Sequence, residues 1–320
     1  MASKYGMVKC YFEHGLWSSN QVKDAVTKGL INSDEYKAIT GEVFDNTYLM
    51  VRTGKNKKVK SVKQYIVNTF TDEVFSGKTA SVCVLTNEIS DEIMHKIALE
   101  NRVETTAFVL KKGKTYEIRW FTYSGEIDIC GYSILASAYV IMNYHDKNKE
   151  EIEFDTRIGK IVVEKNDDVF EMDYPQYPVE QAVVSSEIEN AFGITPEEVY
   201  IGRDMLVVFG SEDDVINLKP DMEKLKKFKG NEVHITSRGG RYDCIARSFS
   251  PKNGVNEGSV YGIGHCYIAP YWRKVLGQNV IVSRDISKRG GTVYCKIVKE
   301  GRVKLCGKAM VYSEGEIYIG

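Results

Sequence analysis

The chain carries almost no net charge: 43 basic residues stand against 44 acidic ones over 320 residues, a formal charge of −1. Without a basic excess there is no electrostatic footprint for DNA or RNA, so a nucleic-acid polymer is not an expected partner. Long apolar runs are also missing. The longest, 134–142, is far too short to cross a bilayer, and the polar start MASKYGMVK lacks the apolar segment of a secretory signal. The expectation is a soluble, cytoplasmic protein with no membrane partner. Cys10, Cys83, Cys130, Cys244, Cys266, Cys295 and Cys306 include no CxxC pair, which argues against a disulfide framework and against a zinc site. The five histidines are dispersed and form no HExxH, so no metal and no cofactor are expected. GSVYGIGH holds a GxG but lacks the strand-turn-helix spacing of a dinucleotide fingerprint.

What is present centres on residues 117–145, EIRWFTYSGEIDICGYSILASAYVIMNYH. Its first half alternates as a strand around Ser124 and Gly125, and from Tyr132 onward apolar and small residues recur at three and four. This predicts a hairpin feeding a buried helix. Residues 247–277 repeat the order Arg-x-Phe, glycine-bearing turn, glycine-led apolar helix, and the same spacing separates Arg119 from Arg247 and Phe121 from Phe249. Two similar halves within one domain follow from a repeat of this length.

Elsewhere, Ser90 is placed to cap an amphipathic helix with Ile93, Ile97 and Ala98 inward, which delivers the chain to Glu104. DMEKLKKFKGN has the spacing of a basic amphipathic helix. Residues 1–45 read as a separate helical unit, with Ser18 or Ser19 as an N-cap, Gly29 as a C-cap and Gly41 closing a third turn. A lysine-rich, weakly apolar stretch at 46–60 reads as a solvated linker.

The stretch at 117–145 resembles the RWFTPxGExDLCGHAT signature of the PhzF-like (phenazine biosynthesis) proteins, and VNTFTDEVFSGKTASVCVL, NRVETTAFV, MDYP, RSFSP and KRGG follow in the family's order. The resemblance covers about 61–320. It implies an α+β fold of the diaminopimelate epimerase type: two halves, each a curved, mostly antiparallel sheet around a central helix, with a small-molecule cleft between them. It also implies that Glu104 matches the family's proton-transferring base. The N-terminal segment GLWSSNQVKDAVTKGLINSDEYKAITGE is similar to XkdX-like phage proteins, which implies a phage or prophage origin; as a small helical unit it also reads as an oligomerisation or docking module, and a homo-oligomer is expected.

This chain departs from the family pattern where proton chemistry is expected. The histidine, aspartate and serine positions hold Tyr132, Gly258 and Ile263, and Gly-Asn-Pro is replaced by Gly77-Lys78-Thr79. Gly258 and Ile263 cannot transfer a proton, and a phenol with an ordinary pKa near 10 is a poor substitute for imidazole. Two readings stay open. In one, the cleft binds and sequesters a small anionic, planar, nucleotide-derived ligand through Gly77, Lys78, Tyr132, Ser133, Gly258, Ser259, Tyr261, Gly262, Ile263, Gly264 and His265, as helix-start amides and aromatic faces would allow. Tyr123 and Tyr267 are further candidate faces. In the other, the protein is a cofactor-independent isomerase with Glu104 as base and Tyr132 or His265 as acid.

Overall fold

The computed structural model describes residues 3–44, 61–157, 159–260, 262–299 and 301–319; the expected linker at 46–60 and Tyr261 lie outside them. The chain divides into two compact units, Met1–Lys60 and Ser61–Gly320.

The first unit holds helices Lys4–Glu13, Ser19–Thr27 and Ser33–Thr40. Ser18 caps the second, with its N–H donating to Gln21 Oε1 at 2.8 Å. Lys28 is the C-cap of that helix and Gly29 the left-handed residue after it. Asn32 caps the third helix in a reciprocal box with Glu35, and left-handed Gly41 ends it. Val8, Val22, Ala25, Ile31, Tyr36 and Phe44 form a small core of its own.

Among the described residues the second unit carries a hydrogen-bonded network of eighteen strands, with the two halves built on one plan. In the first half, strand Lys78–Leu85 runs parallel to Thr106–Lys112 across the helix Asp91–Asn101. Thr115–Thr122 follows antiparallel and forms a hairpin with Gly125–Ile127; then come the helix Gly131–Val140 and the strand Glu151–Thr156, parallel to Thr115–Thr122. In the second half, Met205–Val208 runs parallel to Val233–Arg238, Cys244–Ser250 follows antiparallel and pairs with Val255–Gly258, and after the helix His265–Leu276 the strand Val280–Asp285 lies parallel to Cys244–Ser250. Strands Val169–Pro175 and Arg302–Gly307 join the halves edge to edge.

The repeat extends to side chains. Arg119 holds Glu126 across its hairpin (2.8 and 2.6 Å) and lies 5.3 Å from the Phe121 ring. Arg247 holds Glu257 (2.7 and 3.2 Å) and lies 5.2 Å from Phe249. In each half a bidentate ion pair fixes the hairpin that leads into a central helix.

The first central helix is enclosed, with Ile134, Leu135, Ala136, Ser137, Ala138 and Val140 all buried, and it widens into a π turn at Ile141–His145. The second buries its first five residues, His265, Cys266, Tyr267, Ile268 and Ala269, and then Trp272. Three local expectations need correction. The helix after Ser90 buries Met94 with Ile97 and Ala98, leaving Ile93 half-buried. The basic helix is only the turn Met222–Leu225, because Gly230 and the pairing of the following strand pull the chain away. Tyr267 is not a cleft face: it is buried, stacked on His234 at 5.8 Å, with its hydroxyl donating to Asp204.

Candidate active site

Both central helices start without a side-chain cap, and the residues at these two starts wall one cavity of about 190 Å³. Cys130, Gly131 and Tyr132 come from the first start, and Ser259, Val260, Gly262 and Ile263 precede the second. Gly131 is needed where it stands, since a Cβ there would lie 2.8 Å from the Tyr174 hydroxyl.

Glu104 and Lys78 enter this cavity together. The helix Asp91–Asn101 ends at Arg102, a left-handed residue, and the turn sets Glu104 just before strand Thr106–Lys112. Its Oε2 lies 2.5 Å from Nζ of Lys78, whose side chain is buried while that of Glu104 is 61% exposed. The Lys78 ammonium also sits 5.3 Å from the Tyr132 ring. The Tyr132 hydroxyl is hydrogen-bonded to Thr105 Oγ1 at 2.8 Å. Burial, with the neighbouring Cys130 and Glu104 adding to it, holds the Tyr132 phenol well above its usual range, so it stays protonated near neutral pH.

The sequence reading missed the second carboxyl group of the cavity, Glu232. The amides of Asn231 and Glu232 donate to Asp204 Oδ1 (3.1 and 3.2 Å), which fixes the turn before strand Val233–Arg238. Glu232 Oε2 has no hydrogen-bond partner among the described residues and lies 3.5 Å from His234 Nε2. Desolvation, followed by the Asp204 charge, pushes the Glu232 carboxyl up from 4.5 to about 7. Burial takes His234 down to about 4, so its imidazole is neutral and hydrogen-bonded to Ser248 Oγ at 2.9 Å. A group that half-ionises near neutrality can give or take a proton there. No motif announces Glu232, which stands just before the mostly buried strand Val233–Arg238.

The donor atoms of Asp204, Glu232 and His234 lie within 4.8 Å of one another and are the grouping among the described residues that could hold a metal ion. Asp204 is already engaged by two amides and the Tyr267 hydroxyl, and Arg203 lies 3.6 Å away as its cation.

Two cavity wall residues have left-handed backbones without being glycine: Phe70 (φ 59) and Val260 (φ 42). Such conformations cost about 1–3 kcal/mol each and persist only where surroundings enforce them. Both are pinned. The Phe70 carbonyl accepts from Thr292 N at 2.7 Å, and the Val260 amide donates to buried Asp285 at 3.2 Å. Asp285 is also held by the amide and hydroxyl of Ser287, and burial raises its carboxyl to about 6. Gly291 lies against both walls, where a Cβ would be 2.3 Å from Val260 Cγ2 and 3.2 Å from the Phe70 carbonyl oxygen.

Of the residues expected at the site, Lys78, Glu104, Tyr132, Ser259, Gly262 and Ile263 line the cavity. Gly77 does not; its N–H donates to the Arg289 carbonyl and its own carbonyl accepts from Arg289 Nε. Ser133 and Gly258 are buried outside the lining, and Gly264 lies against the His234 ring. His265 is buried and bonded to Ser283 Oγ at 3.0 Å, so it does not face the cavity as an acid. Tyr123 is an exposed surface residue.

Residues 67–315 match the family model described as phenazine biosynthesis-like protein. The chain belongs to the PhzF-like family. An uncharacterized isomerase of Pseudomonas aeruginosa is 36% identical to this PhzF-like chain over 253 residues, covering 78% of it and 96% of that protein. Another, from Halalkalibacterium halodurans, is 34% identical over 262 residues, covering 80% and 98%. The crystal structure of a PhzF-family protein from Enterococcus faecalis aligns with a TM-score of 0.78 at 37% identity, over 81% of this chain and 100% of that one. At 15% identity, a Pseudomonas aeruginosa protein named as a predicted epimerase shares the fold, with a TM-score of 0.60. The second unit thus has the PhzF-like, epimerase-type α+β fold. Residues 5–44 match the model of an uncharacterised phage protein, XkdX. Among the described residues no helix is long and apolar enough to cross a membrane.

Proposed function

We propose that this PhzF-like protein is a cofactor-independent isomerase that moves a proton on a small carboxylic acid, with Glu104 and Glu232 as its acid-base pair. The observation that carries this reading is the presence of both carboxyl groups in one cavity, Glu104 ion-paired to Lys78 and Glu232 at about 7. The loss of the family's histidine, aspartate and serine at 132, 258 and 263 argued for a cleft without a second proton-transfer group. Glu232 removes that objection. Ionised Glu104 would take the proton from a carbon next to the substrate's carboxylate, and neutral Glu232 would deliver one to the conjugated position. Lys78 and the uncapped helix starts would hold the carboxylate.

The size of the cavity supports a compact acid over the nucleotide-derived ligand expected from the tyrosines. About 190 Å³ has room for roughly fifteen water-sized groups at about 10–15 Å³ each.

A second reading, capture without turnover, is favoured by the 2.5 Å contact of Glu104 with Lys78, which must loosen before Glu104 can accept a proton. The phage-type N-terminal unit supports a phage or prophage setting for it, where capture would withdraw a host metabolite, and that unit is the proposed assembly element of a homo-oligomer. Incubation of the protein in heavy water with a panel of small unsaturated and hydroxylated acids separates the readings. Deuterium entering substrate or product, and its loss in Glu104→Gln, supports the isomerase. A ligand that binds, gains no deuterium and is recovered unchanged after denaturation would establish capture instead.

A further inference from the structure

A second cavity, of about 460 Å³ and more than twice the volume of the first, shares Phe70 with it as a wall. Its character is different. Where the first is walled mainly by apolar side chains, this one is bounded by Arg241, Arg284, Lys308, Asp72 and Glu73 around Tyr242. The Arg241 and Arg284 guanidinium groups lie 5.6 and 6.0 Å from the Tyr242 ring, both within cation–π reach of the same side chain. Arg284 is further held by a 3.1 Å hydrogen bond from Nη1 to Thr292 Oγ1.

Arg119, Arg157, Arg247 and Arg302 each have a carboxylate partner. Among the described residues neither Arg241 nor Arg284 has one within 4.0 Å. Lys308 is already matched, 2.8 Å from Asp168 and 3.6 Å from Asp72. Two positioned, uncompensated guanidinium forks therefore face a polar cavity. A fork of N–H donors fits two oxygens of an oxyanion, and a phosphoryl group has enough oxygens to bridge two forks. Asp72 and Glu73 in the same lining favour a ligand whose negative charge is confined to one small group, such as a single phosphate, over an extended polyanion.

The geometry points to a second ligand site here, for a phosphate-bearing small molecule, separate from the cleft of Glu104 and Glu232. Occupation of this site bears on the cleft through the shared wall. The Phe70 amide donates to the Lys308 carbonyl at 2.8 Å and the Phe70 carbonyl accepts from Thr292 N, so the left-handed Phe70 is held between two residues that line the second cavity.

The full-length protein, titrated with inorganic phosphate at low salt and followed by phosphorus NMR line broadening, tests this. Saturable binding is expected. It should weaken about tenfold in Arg241→Gln, which alters an exposed residue, and in Arg284→Lys, which keeps the charge but loses the fork. Lys78→Gln, in the cleft, should leave it unchanged. Absence of saturable binding to wild type would overturn the assignment. So would loss in Lys78→Gln with both arginine variants unaffected, or equal weakening in all three, because the ion would then sit in the cleft or nowhere in particular.

Discussion

Glu232→Gln should make the protein more stable, and only above acid pH. In the folded chain the Glu232 carboxyl has moved from 4.5 to about 7 because it is desolvated beside Asp204. Below the lower value it is neutral in both the folded and unfolded states. Between the two values the unfolded chain has released its proton and the native state still holds one, so stability falls as pH rises and the loss is complete once pH has passed about 7. At roughly 1.4 kcal/mol per unit, a shift of this size makes the loss about 3 kcal/mol. Glutamine has the shape of the neutral acid and cannot ionise, so the variant escapes the loss. Its advantage over the wild type should grow from under about 1 kcal/mol at roughly pH 5 to about 3 kcal/mol by roughly pH 8, which is several degrees in Tm at roughly 2–4 °C per kcal/mol for a domain of this size. Urea unfolding of both proteins across that range reads it directly. Parallel stability curves would show that Glu232 is not raised, and its role as the neutral acid would fall with it. If the curves diverge as stated while heavy-water exchange is lost, the protein keeps a destabilising carboxyl for the sake of its chemistry.

The other expectations concern neighbouring groups. Glu104→Gln should lower any proton exchange on substrate by about 10²- to 10⁴-fold without unfolding the protein, since the Glu104 side chain is 61% exposed; exchange at the wild-type rate would remove it from the mechanism. Tyr132→Phe leaves the Thr105 hydroxyl without its 2.8 Å tyrosine partner and should cost about 1 kcal/mol in chemical denaturation, whereas an unchanged midpoint would mean that this bond contributes nothing. Gly291→Ala pushes a methyl into Val260 and the Phe70 carbonyl, so a loss of about 1–3 kcal/mol with weaker ligand binding by calorimetry is expected; wild-type affinity would show that the two walls tolerate displacement. Deletion of residues 1–45 should leave a cooperative thermal transition, because the N-terminal unit has its own core, and a drop in mass by light scattering would assign that unit to assembly.

The sequence by itself determined the features written in local pattern. The switch from alternation to helical spacing within 117–145 marks the hairpin and the first central helix, because period two and period 3.6 are properties of neighbouring residues. The Arg-x-Phe repeat marked the two halves, and the ion pairs of Arg119 with Glu126 and Arg247 with Glu257 show why it recurs: each locks a hairpin over a ring. Family resemblance brought Glu104 and Lys78 to notice, and they share the cavity. Tertiary structure alone decided the rest. Glycines 77, 258 and 264 were attractive as exposed backbone, yet the chain uses them outside the cavity lining, and His265 is turned to Ser283. Glu232 reaches the cavity only because strand Val233–Arg238 pairs parallel to Met205–Val208, which puts Asp204 beneath its amide and removes water from its carboxyl. A pKa set by desolvation and by a charge many residues away has no local signature. Neither does a cavity volume, which is what remains after distant side chains have packed.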